Sequence, residues 1–480
     1  MTGPGTIRFT AADQRSFARL SGDFNPVHLD PVVSRRVGPG EPIVHGMHLL
    51  LRALEIHVAD SSVRRRLTLA VTFLRPAFLH ELIRVESTAE GTVSAHSDGG
   101  VEVARAQIAS ASGPTRPAIA PNRRSRMAPG AAHRAPTVHT LADVAGAAGV
   151  IELATAGSVR HAFPRLARAL GADVVAAMAG ISKLVGMECP GRDSILSGLR
   201  LNLTPHARAA RLGWRVARAD RRFGLVRIEV CGQGVTGTVD AFLRPPPAAL
   251  PTIAAAATRV GPAEFTGQRA LVVGGSRGLG AAAAMLLAAG GGLPIVTYAS
   301  GAAEAAALQA DARLAGRKIE TLRFDLVDDD AATSLGEAAA RFRPTHLYYF
   351  ATPRIFARRR EPFDDKLFER FAAFYVGGFA RVCASLGPAV QTVDVFYPSS
   401  TAIEQQPAEL AEYAAAKSAG ESLCRLLERQ TRGLRILVRR LPRVATDQTA
   451  SVVAARARDP YDVMLPIVRE MQQRFRAHEG

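Results

Sequence analysis

Cysteine is scarce in these 480 residues. There are four, Cys189, Cys231, Cys383 and Cys424, and no two lie within four residues of each other. No zinc-ligand pair is therefore present, and the sparse spacing suits reduced thiols in a cytoplasmic protein. Aromatic residues are only 6% of the chain, with one tryptophan. There is no aromatic RNA-stacking motif, no zinc-finger spacing and no basic helix interleaved with aromatics, which excludes nucleic-acid binding as the main role. Long apolar runs are missing too. The most apolar stretch, Ala281 to Val296, holds three glycines and a proline, too broken for a membrane span of about 20 residues. The first residues, MTGPGTIRFTAADQR, lack the apolar region of a signal peptide. Acidic residues fall short: 43 Asp and Glu against 60 Lys and Arg, a formal charge of +17. Such a surface attracts polyanions, including a phosphorylated cofactor or an acidic carrier protein.

Apolar residues at 48% and charged residues at 21% exclude disorder throughout, and the length fits two to four domains. Two Pro-rich breaks, about Pro114 to Pro136 and Pro245 to Pro262, divide the chain. The expected domains are 1–115, 138–246 and 266–480. In the first, a helical stretch from Asp13 to Leu20 precedes the polar loop SGDFNPVHLDP. IVHGMHLLLRALEIHV is then apolar on one face at helical spacing, and alternating runs read as antiparallel strands. One long helix followed by a strand meander suggests a hotdog fold. The second segment repeats that order, with VRHAFPRLARALGADVVAAMAGISKLVGM as its helix. The expectation is an α+β double hotdog. The third segment alternates six strands with helices, the pattern of an α/β doubly wound (Rossmann) sheet.

ALVVGGSRGLGAAAAML sets a glycine turn between a strand and a helix. Gly274, Gly278 and Gly280 allow a tight turn, close approach to a pyrophosphate and helix–strand packing. Ser276 and Leu279 lie in the same turn. Further on, Tyr413 and Lys417 form YAAAK, one helical turn apart, with Ser400 thirteen residues earlier. From Arg269 to Asp447 the chain resembles the short-chain dehydrogenase/reductase family. The resemblance implies a nicotinamide cofactor, an adenine contact from Asp325 beside Leu326, and a further cofactor position at Ala351. The second strand ends at Tyr298, Ala299 and Ser300 without an acidic residue, and Arg277 sits in the turn. That combination suits a 2′-phosphate and favours NADPH over NAD. Tyr413 is expected to pass a proton to a carbonyl oxygen held by Ser400, the Lys417 ammonium lowering the tyrosine pKa. The chain departs from the family in the turn FATP, Phe350 to Pro353, and in Tyr375 at the usual helix asparagine. Three arginines, Arg358, Arg359 and Arg360, follow the fourth strand, where they could guide an anionic carrier.

SGDFNPVHLDP ahead of IVHGM resembles the MaoC-like R-specific enoyl-CoA hydratase family, over about residues 10–110. That resemblance makes Asp23 and His28 a catalytic dyad at a loop–strand junction. The Gly46 N–H, at the start of the central helix, is the candidate oxyanion donor. The second half has no such pair: Glu188 and Asp193 are present without a matching histidine, and its expected part is to complete the sheet. No metal site is expected. The chain reads as a bifunctional acyl-thioester enzyme, an NADPH-dependent 3-oxoacyl reductase joined to a 3-hydroxyacyl dehydratase or enoyl hydratase. Its substrates would be carried on coenzyme A or an acyl carrier protein, with a homodimer among its expected states. Two alternatives stay open: a β-oxidation-type hydratase/dehydrogenase, and a hydratase with a non-catalytic nucleotide-binding fold.

Overall fold

Ten strands form one continuous antiparallel sheet in the N-terminal half of the chain. The structure is a computed structural model that describes residues 5–37, 40–58, 63, 65–111, 135–208, 210–232, 234–328, 331–355, 363–386, 392–447 and 457–479. Most of the first Pro-rich run, and Arg358, Arg359 and Arg360, lie outside the described residues. These residues fall into two compact units that divide at Pro246 and Pro247.

The first unit holds β1 (Gly5–Arg8), β2 (Leu67–Phe73), β3 (Leu82–Ser87), β4 (Thr92–His96), β5 (Glu102–Ser110), β6 (Ala148–Glu152), β7 (Ser194–Leu203), β8 (Arg211–Asp220), β9 (Leu225–Cys231) and β10 (Val235–Leu243). Their order across the sheet is β1-β3-β4-β5-β2-β7-β10-β9-β8-β6. The halves join where β2 pairs β7, from Leu67 opposite Leu203 to Thr72 opposite Gly198. Each half wraps a helix, Gly46–His57 in the first and Ala172–Lys183 in the second. These two helices pack on each other, and their buried faces share one core with both sets of strands. This is a double hotdog. The long apolar stretch of the second half is not one helix. Pro164 starts a new one and Gly171, at φ +91°, ends it before Ala172. A proline lacks the N–H a helix interior needs, and the left-handed backbone suits glycine.

The second unit holds β11 (Arg269–Val273), β12 (Leu293–Tyr298), β13 (Glu320–Arg323), β14 (His346–Tyr349), β15 (Val393–Ser400) and β16 (Leu434–Leu441). All run parallel in the order β13-β12-β11-β14-β15-β16, a Rossmann sheet. The order reverses between β11 and β14, so their carboxyl ends open a crevice there. Helix Gly278–Ala289 is buried on almost every side, between the sheet and the helices Ile253–Ala257 and Pro460–Glu479. The second Pro-rich break is therefore more than a linker: Ile253 and Ala256 sit in the Rossmann core. Among the described residues, no single helix is long and apolar enough to cross a membrane.

Candidate active sites

In the first unit, Asn25 accepts a hydrogen bond from the Val27 N–H at 3.1 Å, and Pro26 follows it. A side-chain cap and a proline in the first position start a helix. His28 consequently rides on a short helix, Pro26–Leu29, and not at the loop–strand junction expected with the resemblance. Its Nδ1 lies 2.9 Å from the Ile43 carbonyl. A carbonyl only accepts, so Nδ1 carries the proton and Nε2 is left as a base. Burial lowers the His28 pKa, with the Asp23 charge opposing, which keeps the ring neutral. Asp23 is 2% exposed. Its Oδ1 takes the Asn25 N–H at 3.1 Å and its Oδ2 takes the Ser182 hydroxyl at 2.7 Å. Burial raises its pKa, ahead of the lowering by His28 and these hydrogen bonds.

Ser182 belongs to the second half, and so do the other walls. The Asn25 side chain donates to the carbonyls of Gly186 and Arg192, both at 3.0 Å. A Cβ on Gly186 would stand 2.5 Å from Asp23 Oδ1. The half without a dyad thus supplies a hydrogen bond and a tight wall to the dyad of the other. No spacing in the sequence signals these residues, which lie about 160 positions away.

His45, in VHGM, is also part of the site. Its ring stacks on His28 with centroids 3.8 Å apart. Its Nδ1 is 2.7 Å from Gln14 Oε1 and its Nε2 is 3.1 Å from the Asp23 carbonyl. Gln14 in turn reaches His48 Nδ1 at 3.3 Å. Gln14, His45 and His48 are all buried, so a closed polar chain braces the backbone under Asp23. Asp23, His28 and His45 offer donor atoms within 4.8 Å of one another. Because His28 Nδ1 and both His45 nitrogens already face hydrogen-bonding partners, the set fits acid–base work better than a resident metal. Gly46 opens the central helix next to this ring, with Phe73 and Leu196 flanking it.

In the second unit the glycine turn sits at the carboxyl end of β11. Gly274 and Gly278 adopt φ of +74° and +56°. A Cβ on Gly274 would lie 2.7 Å from the Ala351 N, and one on Gly280 2.6 Å from the Gly274 carbonyl. The Gly274 and Gly275 N–H groups bond Thr297 Oγ1 and O at 3.1 and 3.0 Å. This cradle, under a helix N-terminus, fits a pyrophosphate. Ser276 and Leu279 line the same turn. Tyr298 ends β12 with Ser300 exposed beyond it, and Asp325 with Leu326 follows β13. Arg277 precedes the helix, and its Nη1 pairs with Asp447 Oδ2 at 3.2 Å.

Ser400 ends β15, and Tyr413 and Lys417 face it from helix Ala411–Gln430. The Ser400 side chain is close enough to oppose the rise of the Tyr413 pKa, so the structure brings these two expected residues together. The electrostatics differ from expectation. Burial pushes the Tyr413 phenol up, opposed only by Ser400, and the Lys417 ammonium does not lower it. Lys417 Nζ lies 6.0 Å from the Tyr413 ring centroid but 3.9 Å from that of Tyr375, and it donates to the Pro398 carbonyl at 2.6 Å. Burial pulls the Lys417 pKa down to about 7. Tyr375 stands in a π-helical turn, Ala373–Gly378, which frees carbonyls from the usual ladder. The hydroxyls of Tyr349 and Tyr397 donate to the carbonyls of Phe374 and Tyr375, at 2.6 and 3.0 Å. The Tyr375 hydroxyl hydrogen-bonds Thr352 in FATP. Both departures from the family pattern therefore meet at one contact beside Lys417.

Residues 3–111 match the family described as MaoC like domain, and residues 268–457 match short chain dehydrogenase. The fatty acid synthase beta subunit of Emericella nidulans is 35% identical over 99 residues, 19% of this chain and 5% of that protein. The peroxisomal multifunctional enzyme type 2 of Mus musculus is 30% identical over 107 residues, 21% of this chain and 15% of that protein. The (R)-specific enoyl-CoA hydratase of Aeromonas caviae is 55% identical over 42 residues, 9% of this chain and 31% of that protein. The chain spans less than a third of the length of each of these relatives. It joins an N-terminal MaoC-like domain to a C-terminal short-chain dehydrogenase domain.

Proposed function

We propose that this chain carries out two consecutive steps on an acyl thioester: reduction of a 3-oxoacyl group with NADPH, and reversible dehydration of the resulting 3-hydroxyacyl group to the trans-2-enoyl. The observation that carries the reading is the state of the Asp23–His28 pair, one neutral imidazole with a free Nε2 beside one buried carboxyl of raised pKa. In hydration, His28 Nε2 takes a proton from water as the hydroxyl bonds to C3. The Asp23 carboxyl gives a proton to C2. The Gly46 N–H holds the thioester oxygen while it is enolate-like.

In the second unit, the glycine turn would hold the pyrophosphate, Tyr298 and Ser300 the adenosine side, and Asp325 the adenine. When bound, the nicotinamide supplies the hydride. The chain's own part is proton handling. The Ser400 hydroxyl orients the substrate carbonyl oxygen and Tyr413 Oη delivers its proton there. Arg277 and the absence of an acidic residue after β12 support the phosphorylated cofactor. Mixing the purified chain with NADPH and a 3-oxoacyl-CoA, and following absorbance and products, tests both steps. Loss of NADPH with appearance of the enoyl-CoA is expected; no turnover of either the oxoacyl or the enoyl thioester would overturn the reading. The Tyr375 ring against Lys417 favours a second reading, a nucleotide-binding reductase fold without turnover. NADPH binding with no oxidation, together with active hydration, would select it.

A further inference from the structure

Arg244 lies just past β10, in the half that lacks the dyad. Its backbone N–H donates to the Asp193 carbonyl at 2.8 Å. The neighbouring Arg192 carbonyl receives the Asn25 side chain. Arg244 is thereby anchored one residue from the hydrogen bond that fixes the Asp23–His28 loop. Its side chain is 7% exposed, and its Nε is buried without a hydrogen-bond partner. Asp193 is its charged neighbour, yet among the described residues the Arg244 guanidinium forms no ion pair. Other arginines of the same half contrast with it: Arg215, Arg218 and Arg227 are exposed and each holds a carboxylate at 2.6–2.8 Å. A guanidinium keeps its proton even when buried, and an unpaired buried charge is destabilising. After burial, the Arg244 charge is a lesser influence that lowers the His28 pKa.

We propose that Arg244 pairs with an anionic oxygen group of the thioester substrate, a carboxylate borne on the acyl portion. The inference rests on the hydratase reading above. A guanidinium offers a planar fork that matches a carboxylate with two hydrogen bonds. A phosphate on the carrier would present similar oxygens. The pantetheine arm, however, holds that phosphate many bonds from the thioester, whereas Arg244 is anchored one residue from the Asn25 contact that fixes the Asp23–His28 loop.

The test compares a trans-2-enoyl thioester ending in a carboxylate with an uncharged one of equal length. Each is made on coenzyme A and on N-acetylcysteamine, which has no phosphate. The full chain should favour the carboxylated acyl group in kcat/KM by about ten- to a hundred-fold on both carriers. Arg244→Met should bring that ratio near one, and Arg244→Lys should restore part of it. Calorimetric binding of saturated carboxylated and uncharged acyl-CoA should show the same preference and the same loss. No preference in the native chain, or a preference that survives Arg244→Met, overturns the assignment. A loss confined to coenzyme A substrates whatever their acyl charge assigns Arg244 to the phosphate and overturns the acyl carboxylate. A binding preference that depends on Arg244, with no hydration of any substrate, upholds this assignment and overturns the hydratase reading.

Discussion

Gly186→Ala isolates what the second hotdog half contributes to the Asp23–His28 site. The new methyl would stand 2.5 Å from Asp23 Oδ1, 2.7 Å from Oδ2 and 2.9 Å from Cγ. Ordinary contact requires the carboxylate or the Leu184–Glu188 turn to retreat by roughly 1 Å. Overpacking of this kind costs about 1–3 kcal/mol, and alanine returns up to about 1 kcal/mol over glycine in helical backbone. A net loss of about 0–3 kcal/mol leaves the unit folded. Catalysis is less forgiving: a 1 Å misplacement of a reacting group can cost about 10²-fold. Enoyl hydration should therefore fall about a hundred-fold, with NADPH oxidation unchanged. The sole tryptophan, Trp214 in β8, is buried in this unit, so its emission reports whether the fold survives. Gly157→Ala is the control, because the nearest atom to its added methyl is 4.0 Å away; it should hydrate normally. If Gly186→Ala hydrates at the native rate with native Trp214 emission, the second half does not set the position of Asp23.

Asp23→Asn and His28→Ala should each lower hydration by roughly 10²–10⁴-fold and spare NADPH oxidation, as product analysis with each substrate would reveal. Arg277→Ala should weaken NADPH about ten- to a hundred-fold with little effect on NADH. Asp447→Asn, which removes the carboxylate now paired with Arg277, should tighten NADPH; titration of both nucleotides checks the pair. Burial lowers the folded pKa of Lys417 from 10.5 to about 7, so between those values the unfolded chain binds more protons and stability rises with pH. The slope approaches about 1.4 kcal/mol per pH unit, over a window that the tyrosine faces narrow by favouring the ammonium. Thermal unfolding at pH 7, 8 and 9 should show Lys417→Met gaining most at pH 7; parallel shifts at all three would contradict the burial of an ammonium there.

Much of this architecture is written in short-range patterns. The strand–glycine–helix signal at Gly274 to Gly280 and the four-residue step from Tyr413 to Lys417 are local, so they survive without knowledge of the tertiary fold. The Asp23–His28 spacing is local as well, but the short helix under His28 depends on the Asn25 cap and Pro26, inside a stretch read as a polar loop. What stayed hidden is long-range. Ser182 and Gly186 meet Asp23 only because β2 pairs β7 and brings one half against the other. The Tyr413 and Lys417 pKa directions also escaped, since burial is a property of the packed core. Four of the seven tyrosines, Tyr349, Tyr375, Tyr397 and Tyr413, gather around a π-turn that no periodicity announces.

The seam between β2 and β7 has a further consequence, for divergence. Where two identical subunits build such a sheet, every substitution appears twice, and any residue useful on one side must be tolerable on the other. Here the two sides are separate stretches of one gene product. The first half can keep Asp23 and His28 while the second carries Ser182 and Gly186 against them, each change being felt once. Assembly of the Asp23–His28 site also becomes a first-order event, because both contributors are tethered. Specific hydration activity should stay constant on serial dilution, where a site shared between separate chains would fade.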